Sequence, residues 1–207
     1  SGEMQNHLVN GYNIDGNSIT QISHGVDIDR FRPLDNKHDA VSEEKLTLLF
    51  VGRLISLKGA DLAVKSLAAA DCDEVELLIA GTGRLESDLK RYAQRVGIAD
   101  QVKFLGHVNQ ELVDLYSSAD ATLFASQYEG FGLIILESMA SGTPVIGTPA
   151  GGFPDIVTDG HDGFIVDRDP DAIGDLITSL THESGRLSEM GQTHEIHSPN
   201  STAIIFG

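Results

Sequence analysis

Short aliphatic and β-branched runs alternate with amphipathic helical stretches along most of this chain, and that alternation constrains its fold more than any other feature. It is the pattern of βαβ units around a mostly parallel sheet. Strands are predicted at Ile19–Ser23, Leu46–Gly52, Val75–Ala80, Val102–Leu105, Ala121–Ala125, Pro144–Thr148 and Gly163–Val166. Apolar residues at helical spacing predict helices over Asp61–Ala70, Arg84–Val96, Gln110–Ser118, Leu133–Ser141, Phe153–Val157 and Ala172–Thr181. Most predicted strands run into a Gly, Ser or Thr, where the backbone can turn tightly or approach a ligand. In open α/β sheets ligands bind beyond the carboxyl ends of the strands, so those ends are where chemistry is expected.

The two termini depart from the pattern. Residues 1–18 are rich in Asn and Gly and lack a clean period, which predicts a linker or the remnant of a preceding domain. The polar start at Ser1 carries no signal-peptide pattern and reads as a segment of a longer protein. One domain is expected over 19–181, followed by an irregular, weakly ordered tail over 182–207. His194, Glu195 and His197 in that tail are too few for a structural metal site, which needs four fixed ligands, and no metal is predicted.

Charge excludes one class of partner. The net charge is −17, with 14 Lys and Arg against 31 Asp and Glu, so the chain lacks the basic clusters that hold a phosphate backbone. Nucleic acid is not an expected partner. A single cysteine, Cys72, precludes an internal disulfide and fits a reducing, cytoplasmic location. No apolar run is long enough for a transmembrane span, which leaves peripheral membrane contact of a fuller protein open.

The segment Glu129-Gly-Phe-Gly-Leu-Ile-Ile-Leu-Glu137 sets two carboxylates eight positions apart around a predicted loop-to-helix junction. A helix N-terminus presents unpaired N–H groups and partial positive charge, so Gly130, Phe131, Gly132 and Leu133 offer an anion site. Carboxylates accept hydrogen bonds from sugar or ribose hydroxyls, while the amides between them suit a diphosphate. A general acid and base, or two acids that serve only a helix dipole and solvent, fit the same spacing. Glu137 follows the apolar run Leu133–Leu136, and an acid there needs a partner.

The segment Phe50-Val-Gly-Arg-Leu-Ile-Ser-Leu-Lys-Gly59 places Arg53 and Lys58 beyond a strand that stops at Gly52. Leu57 and Gly59 around the lysine break the P-loop pattern, which disfavours an NTPase. The two cations either neutralise a leaving diphosphate without a tightly bound magnesium or are ordinary solvated loop charges. Gly81-Thr-Gly83 lacks the third glycine of a dinucleotide loop, since Glu86 stands there, so close packing of the turn is favoured over a nicotinamide cofactor. Gly106 and His107 close another strand; backbone there can seat a nucleobase, or His107 is an exposed loop histidine.

Read in order, His24-Gly-Val-Asp-Ile-Asp-Arg-Phe-Arg-Pro33, Val51-Gly-Arg-Leu54 with Lys58-Gly59, Leu78-Ile-Ala-Gly-Thr-Gly83, Val102-Lys-Phe-Leu-Gly106, Ala119-Asp120, the Glu129 to Glu137 segment and Gly142-Thr-Pro-Val-Ile146 resemble the C-terminal half of group 1 (family 4) glycosyltransferases. Gly151-Gly-Phe-Pro-Asp-Ile-Val157 and Gly160-His-Asp-Gly-Phe-Ile-Val166 extend the resemblance, which covers about residues 19–181. It implies a Rossmann-like parallel sheet flanked by helices, one half of a two-domain GT-B enzyme that binds a UDP- or GDP-sugar donor. Arg53 and Lys58 would then hold the donor diphosphate with the amides of Phe131 to Ile134, and Glu137 the ribose. Glu129 would contact the sugar, and Leu105, Gly106 and His107 would help seat the base. Sugar transfer with retention, no essential metal and no other cofactor is implied. The chain departs from the family at His24, where an asparagine is frequent, and beyond Thr181, where the expected helices are not recognisable. The N-terminal acceptor domain is also missing, so little transfer by the chain alone is expected. A noncatalytic sugar-nucleotide binding module on the same fold is the alternative.

Overall fold

Six strands, β1 (Leu46–Val51), β2 (Val75–Ala80), β3 (Val102–Gly106), β4 (Ala121–Phe124), β5 (Val145–Gly147) and β6 (Gly163–Ile165), form an all-parallel sheet in the computed structural model. The spatial order is β3-β2-β1-β4-β5-β6. The structure describes residues 2–12, 14–19, 25–35, 38–42, 44–129, 132–183 and 185–192. Helices are α1 (Gly2–Tyr12), α2 (Ala60–Ala70), α3 (Glu86–Val96), α4 (Leu112–Ser118), α5 (Leu133–Ala140), α6 (Phe153–Ile156), α7 (Pro170–His182) and α8 (Arg186–Gln192). Among the described residues no helix is long and apolar enough to cross a membrane.

Strand pleating divides the core in two. Leu48 and Phe50 of β1 face a layer built from Leu62 and Leu67 of α2, Leu89 of α3 and Ile173 and Ile177 of α7. Leu49, between them in sequence, faces the opposite layer, with Leu115 and Tyr116 of α4, Ile135 and Met139 of α5 and Phe153 of α6. Covering both faces is why the strands read as near-continuous apolar runs. Each buried Leu, Ile or Phe contributes about 1.5–3 kcal/mol relative to exposure.

One charge sits inside this sheet. Glu76 of β2 accepts hydrogen bonds from the Ser42 amide at 2.7 Å and the Thr47 hydroxyl at 2.9 Å, and pairs with Lys103 at 2.7 Å. Burial alone would push its pKa up, but Lys103 and the hydrogen bonds outweigh that and hold it below the ordinary value. Lys103 also donates to the Ala40 carbonyl at 2.8 Å, so the pair fastens the segment entering β1 to the sheet.

The predicted elements match the observed ones within a few residues, with three differences. Residues Gly2–Tyr12 form α1 where no clean period is readable in the sequence; Asn10 and Gly11 depress helix propensity there and hide the element. Helix α7 begins earlier than predicted because the Asp169 side chain accepts from the amides of Asp171 and Ala172, with Pro170 opening the helix. The tail expected to be irregular from His182 instead carries α8, whose Leu187 and Met190 are buried one turn apart in the core. Two apolar positions among polar neighbours gave too weak a period to read. Most of the strand predicted at Ile19–Ser23, with His24, and the tail residues His194, Glu195 and His197 lie outside the described residues.

Candidate functional site

The sheet order reverses between β1 and β4, and the helices that follow them, α2 and α5, pack on opposite faces. That divergence opens a crevice at the carboxyl ends of the two strands, the usual ligand position in a doubly wound sheet. Three loops converge on it.

The loop after β1 carries exposed Arg53 and, in a single 3-10 turn over Ser56–Lys58, leads through Gly59 into α2. Gly59 has φ +75°, and a Cβ on it would lie 1.8 Å from the Ala125 carbonyl oxygen at the end of β4. The Gln127 amide donates to the Leu57 carbonyl at 2.9 Å. These contacts join the loop after β1 to the loop after β4 and bring Lys58 onto Glu129, with which it forms a half-buried ion pair. The loop after β5 adds a third wall. The Thr148 hydroxyl donates to the Ser126 carbonyl at 3.0 Å, and Gly151 abuts the Glu129 carbonyl so closely that a Cβ would sit 1.8 Å from its oxygen.

Glycines 81 and 83 serve the same stitching. A Cβ on Gly81 would meet the Gly52 carbonyl oxygen at 1.9 Å, and one on Gly83 the Leu54 carbonyl oxygen at 2.5 Å. The loops after β1 and β2 therefore touch through backbone, which accounts for the glycine pair without a dinucleotide.

Helix α5 opens at Gly132, which as a glycine brings no side-chain cap of its own, and has no acid in its first turn. Its N-terminus, where Leu133 is exposed and Ile134 half-buried, keeps the partial positive charge that an anion would neutralise. Gly130 and Phe131 lie outside the described residues. Four residues into the helix, and so on the face of Leu133, stands Glu137. Its Oε2 accepts a hydrogen bond from the Tyr116 hydroxyl at 3.1 Å. Burial pushes the Glu137 pKa above its ordinary value; the Tyr116 hydrogen bond and the charge of Arg30 pull it down without cancelling that.

The folded state thus binds the Glu137 proton more tightly than the unfolded chain does, and the stability this lends is present at low pH and lost as pH rises from the ordinary 4.5 through the raised value. Glu137→Gln keeps the shape and removes the charge. It is expected to melt like the parent at about pH 4 and above it at about pH 7, in thermal scans across that range. A melting difference independent of pH would refute the shift.

The structure brings Lys58 and Glu129 into contact and places Gly132, Leu133, Ile134 and Glu137 along the start of α5. Arg53 is on the same loop as Lys58. Leu105, Gly106 and exposed His107 end β3 at the sheet edge, two strands from the reversal, about 10 Å away at ordinary strand spacing. The Gly106 carbonyl accepts from the Gly81 amide at 2.7 Å, so this turn continues the line of joined loops. Among the described residues no three His, Cys, Asp or Glu side chains are grouped to hold a metal ion. Sequence reasoning missed Tyr116. A polar-tipped aromatic in a predicted helix and an acid beside an apolar run each need a partner, and that shared need was the available signal.

Comparison with known proteins follows the same line. The family model for glycosyl transferases group 1 matches residues 32–195. A D-inositol 3-phosphate glycosyltransferase 2 of Catenulispora acidiphila is 35% identical over 207 residues, covering 92% of this chain and 48% of the relative. The chain therefore spans about half the length of that relative. The C-terminal domain of a glycosyl transferase group 1 family protein from Francisella tularensis superimposes with a TM-score of 0.74 at 26% identity, over 81% of this chain and 93% of that one. An Anabaena protein solved in complex with UDP shares the fold, with a TM-score of 0.79 at 21% identity over 93% of this chain and 56% of its own.

Proposed function

Because the chain belongs to the group 1 glycosyltransferases, we propose that it is the donor-binding half of such an enzyme and holds a nucleoside diphosphate sugar in the crevice between β1 and β4. The observation that carries this reading is the Lys58–Glu129 pair set beside the N-terminus of α5. A cation, amides at a helix N-terminus and carboxylates within one crevice match the three parts of such a donor: diphosphate, sugar and ribose.

In this reading Lys58 and Arg53 take the diphosphate with the amides of Phe131 to Ile134. Glu129 accepts from hydroxyls of the sugar and Glu137 from the ribose. The turn at Leu105 to His107 seats the base. The bond from the anomeric carbon to the diphosphate breaks as one to an acceptor oxygen forms; negative charge gathers on the departing phosphate, which takes up the proton that the acceptor hydroxyl releases. Cations and amides fixed beforehand stabilise that charge without reorganising, so they supply much of the rate and no metal is required. Transfer proceeds with retention. The carboxylates bind hydroxyls rather than flank the scissile bond, so the spacing rule for glycosidases does not apply.

Calorimetric titration with UDP, GDP and NAD tests the donor site. Binding of UDP or GDP and not NAD is expected, and binding of NAD alone would overturn the reading. Acceptor contacts are assigned to an N-terminal half, so the chain alone should transfer little sugar. Joining it to such a half and recovering transfer separates an enzyme from a binding module.

A further inference from the structure

Tyr116 is wholly buried, yet its hydroxyl reaches the one acid that α5 carries into the crevice. Both the ring and the backbone of Tyr116 are held. Phe31 packs edge-on against it with centroids 6.1 Å apart, and the Thr143 hydroxyl donates to the Tyr116 carbonyl at 2.5 Å. The next residue, Ser117, accepts from the Leu34 amide and donates to the Arg32 carbonyl, both at 3.0 Å. The segment carrying Arg30 and Phe31 is thereby fastened to α4. A side chain so confined has little freedom to move its hydroxyl away from Glu137 Oε2.

We propose that Tyr116 is a positioning residue for the ribose subsite: its hydroxyl fixes the Glu137 carboxylate through Oε2 and leaves Oε1 to accept from the ribose hydroxyls. This rests on the donor reading above. A carboxylate on an unrestrained glutamate samples several rotamers, and ordering it on binding weakens the ligand's hydrogen bonds. With Oε2 held by a buried donor, that ordering is complete before the nucleotide arrives. Tyr116 touches no part of the ligand. Its effect should therefore depend on whether the ligand has ribose hydroxyls to offer.

The test measures dissociation constants of UDP and of 2′,3′-dideoxy-UDP for the parent and for Tyr116→Phe, which keeps the buried ring. The parent is expected to prefer UDP by about tenfold or more, from hydrogen bonds to a charged acceptor. Tyr116→Phe should weaken UDP by about 5- to 10-fold and leave the dideoxy nucleotide nearly unchanged, so that the preference collapses. Adding Tyr116→Phe to Glu137→Ala should change nothing further, since the hydroxyl acts through that carboxylate. Equal weakening of both nucleotides would make Tyr116 a packing residue and overturn the proposal, as would an undiminished preference. If Tyr116→Phe does not fold, Phe31→Leu, which removes the ring packed edge-on against Tyr116 and so frees its hydroxyl, is measured on the same nucleotides. A preference retained there overturns the proposal, and its loss supports it. Failure of the parent to bind either nucleotide overturns the donor reading itself, an outcome distinct from a preference insensitive to position 116.

Discussion

Lys58→Ala is expected to weaken UDP by about 10- to 100-fold while leaving uridine, which has no phosphate, unaffected. Two effects add in the variant. The diphosphate loses a charge-assisted donor, and Glu129 is left without the cation that it contacts through the ion pair. A carboxylate beside a diphosphate repels it, so the variant is worse than one lacking only a hydrogen bond. The double variant Lys58→Ala with Glu129→Gln separates the two. It should recover part of the affinity, because the repulsion is gone while the donor is still missing. Calorimetry on the parent and these variants with UDP and uridine reads both effects. If Lys58→Ala weakened uridine as much as UDP, the lysine would be supporting the loop rather than binding phosphate.

The pair also shows where sequence reasoning stopped. Lys58 and Glu129 were each legible, one beyond a predicted strand and the other before a predicted helix. Their contact was not, because they are 71 residues apart and meet only through the order of strands. Alternation of strands and helices predicts a parallel sheet, but it does not say that β1 lies between β2 and β4. That neighbourhood brings the loop at Lys58 against the loop at Glu129. Leu105 to His107 were legible as a strand end in the same way, and their distance from the reversal was not. Helix α8 was hidden because only Leu187 and Met190 mark its buried face. Tyr116 was hidden differently: Leu115 and Tyr116 both fit a buried helix face, and only the facing acid on α5 gives the hydroxyl its purpose.

Gly59→Ala is expected to lower the melting temperature by roughly 10 °C and to abolish tight nucleotide binding, the first from a loss of about 3 kcal/mol or more. Part of that loss is conformational. Gly59 has φ +75°, a left-handed backbone in which an alanine costs about 1–2 kcal/mol. The larger part is contact, since the new Cβ would lie 1.8 Å from the Ala125 carbonyl oxygen and 2.8 Å from the Ala125 Cβ. Neither atom is the end of a flexible side chain, so the loop after β1 must move off β4 as a unit. Movement there pulls the Leu57 carbonyl from the Gln127 amide and Lys58 from Glu129. Gly97→Ala supplies the control. It has φ +85° at the end of α3, but nothing lies within 4 Å of the added Cβ, so only the conformational cost applies. That variant should melt about 3–6 °C below the parent and bind UDP unchanged. Equal melting shifts in the two variants, with nucleotide binding intact in both, would show that the close approach of Gly59 to β4 does not hold the crevice together.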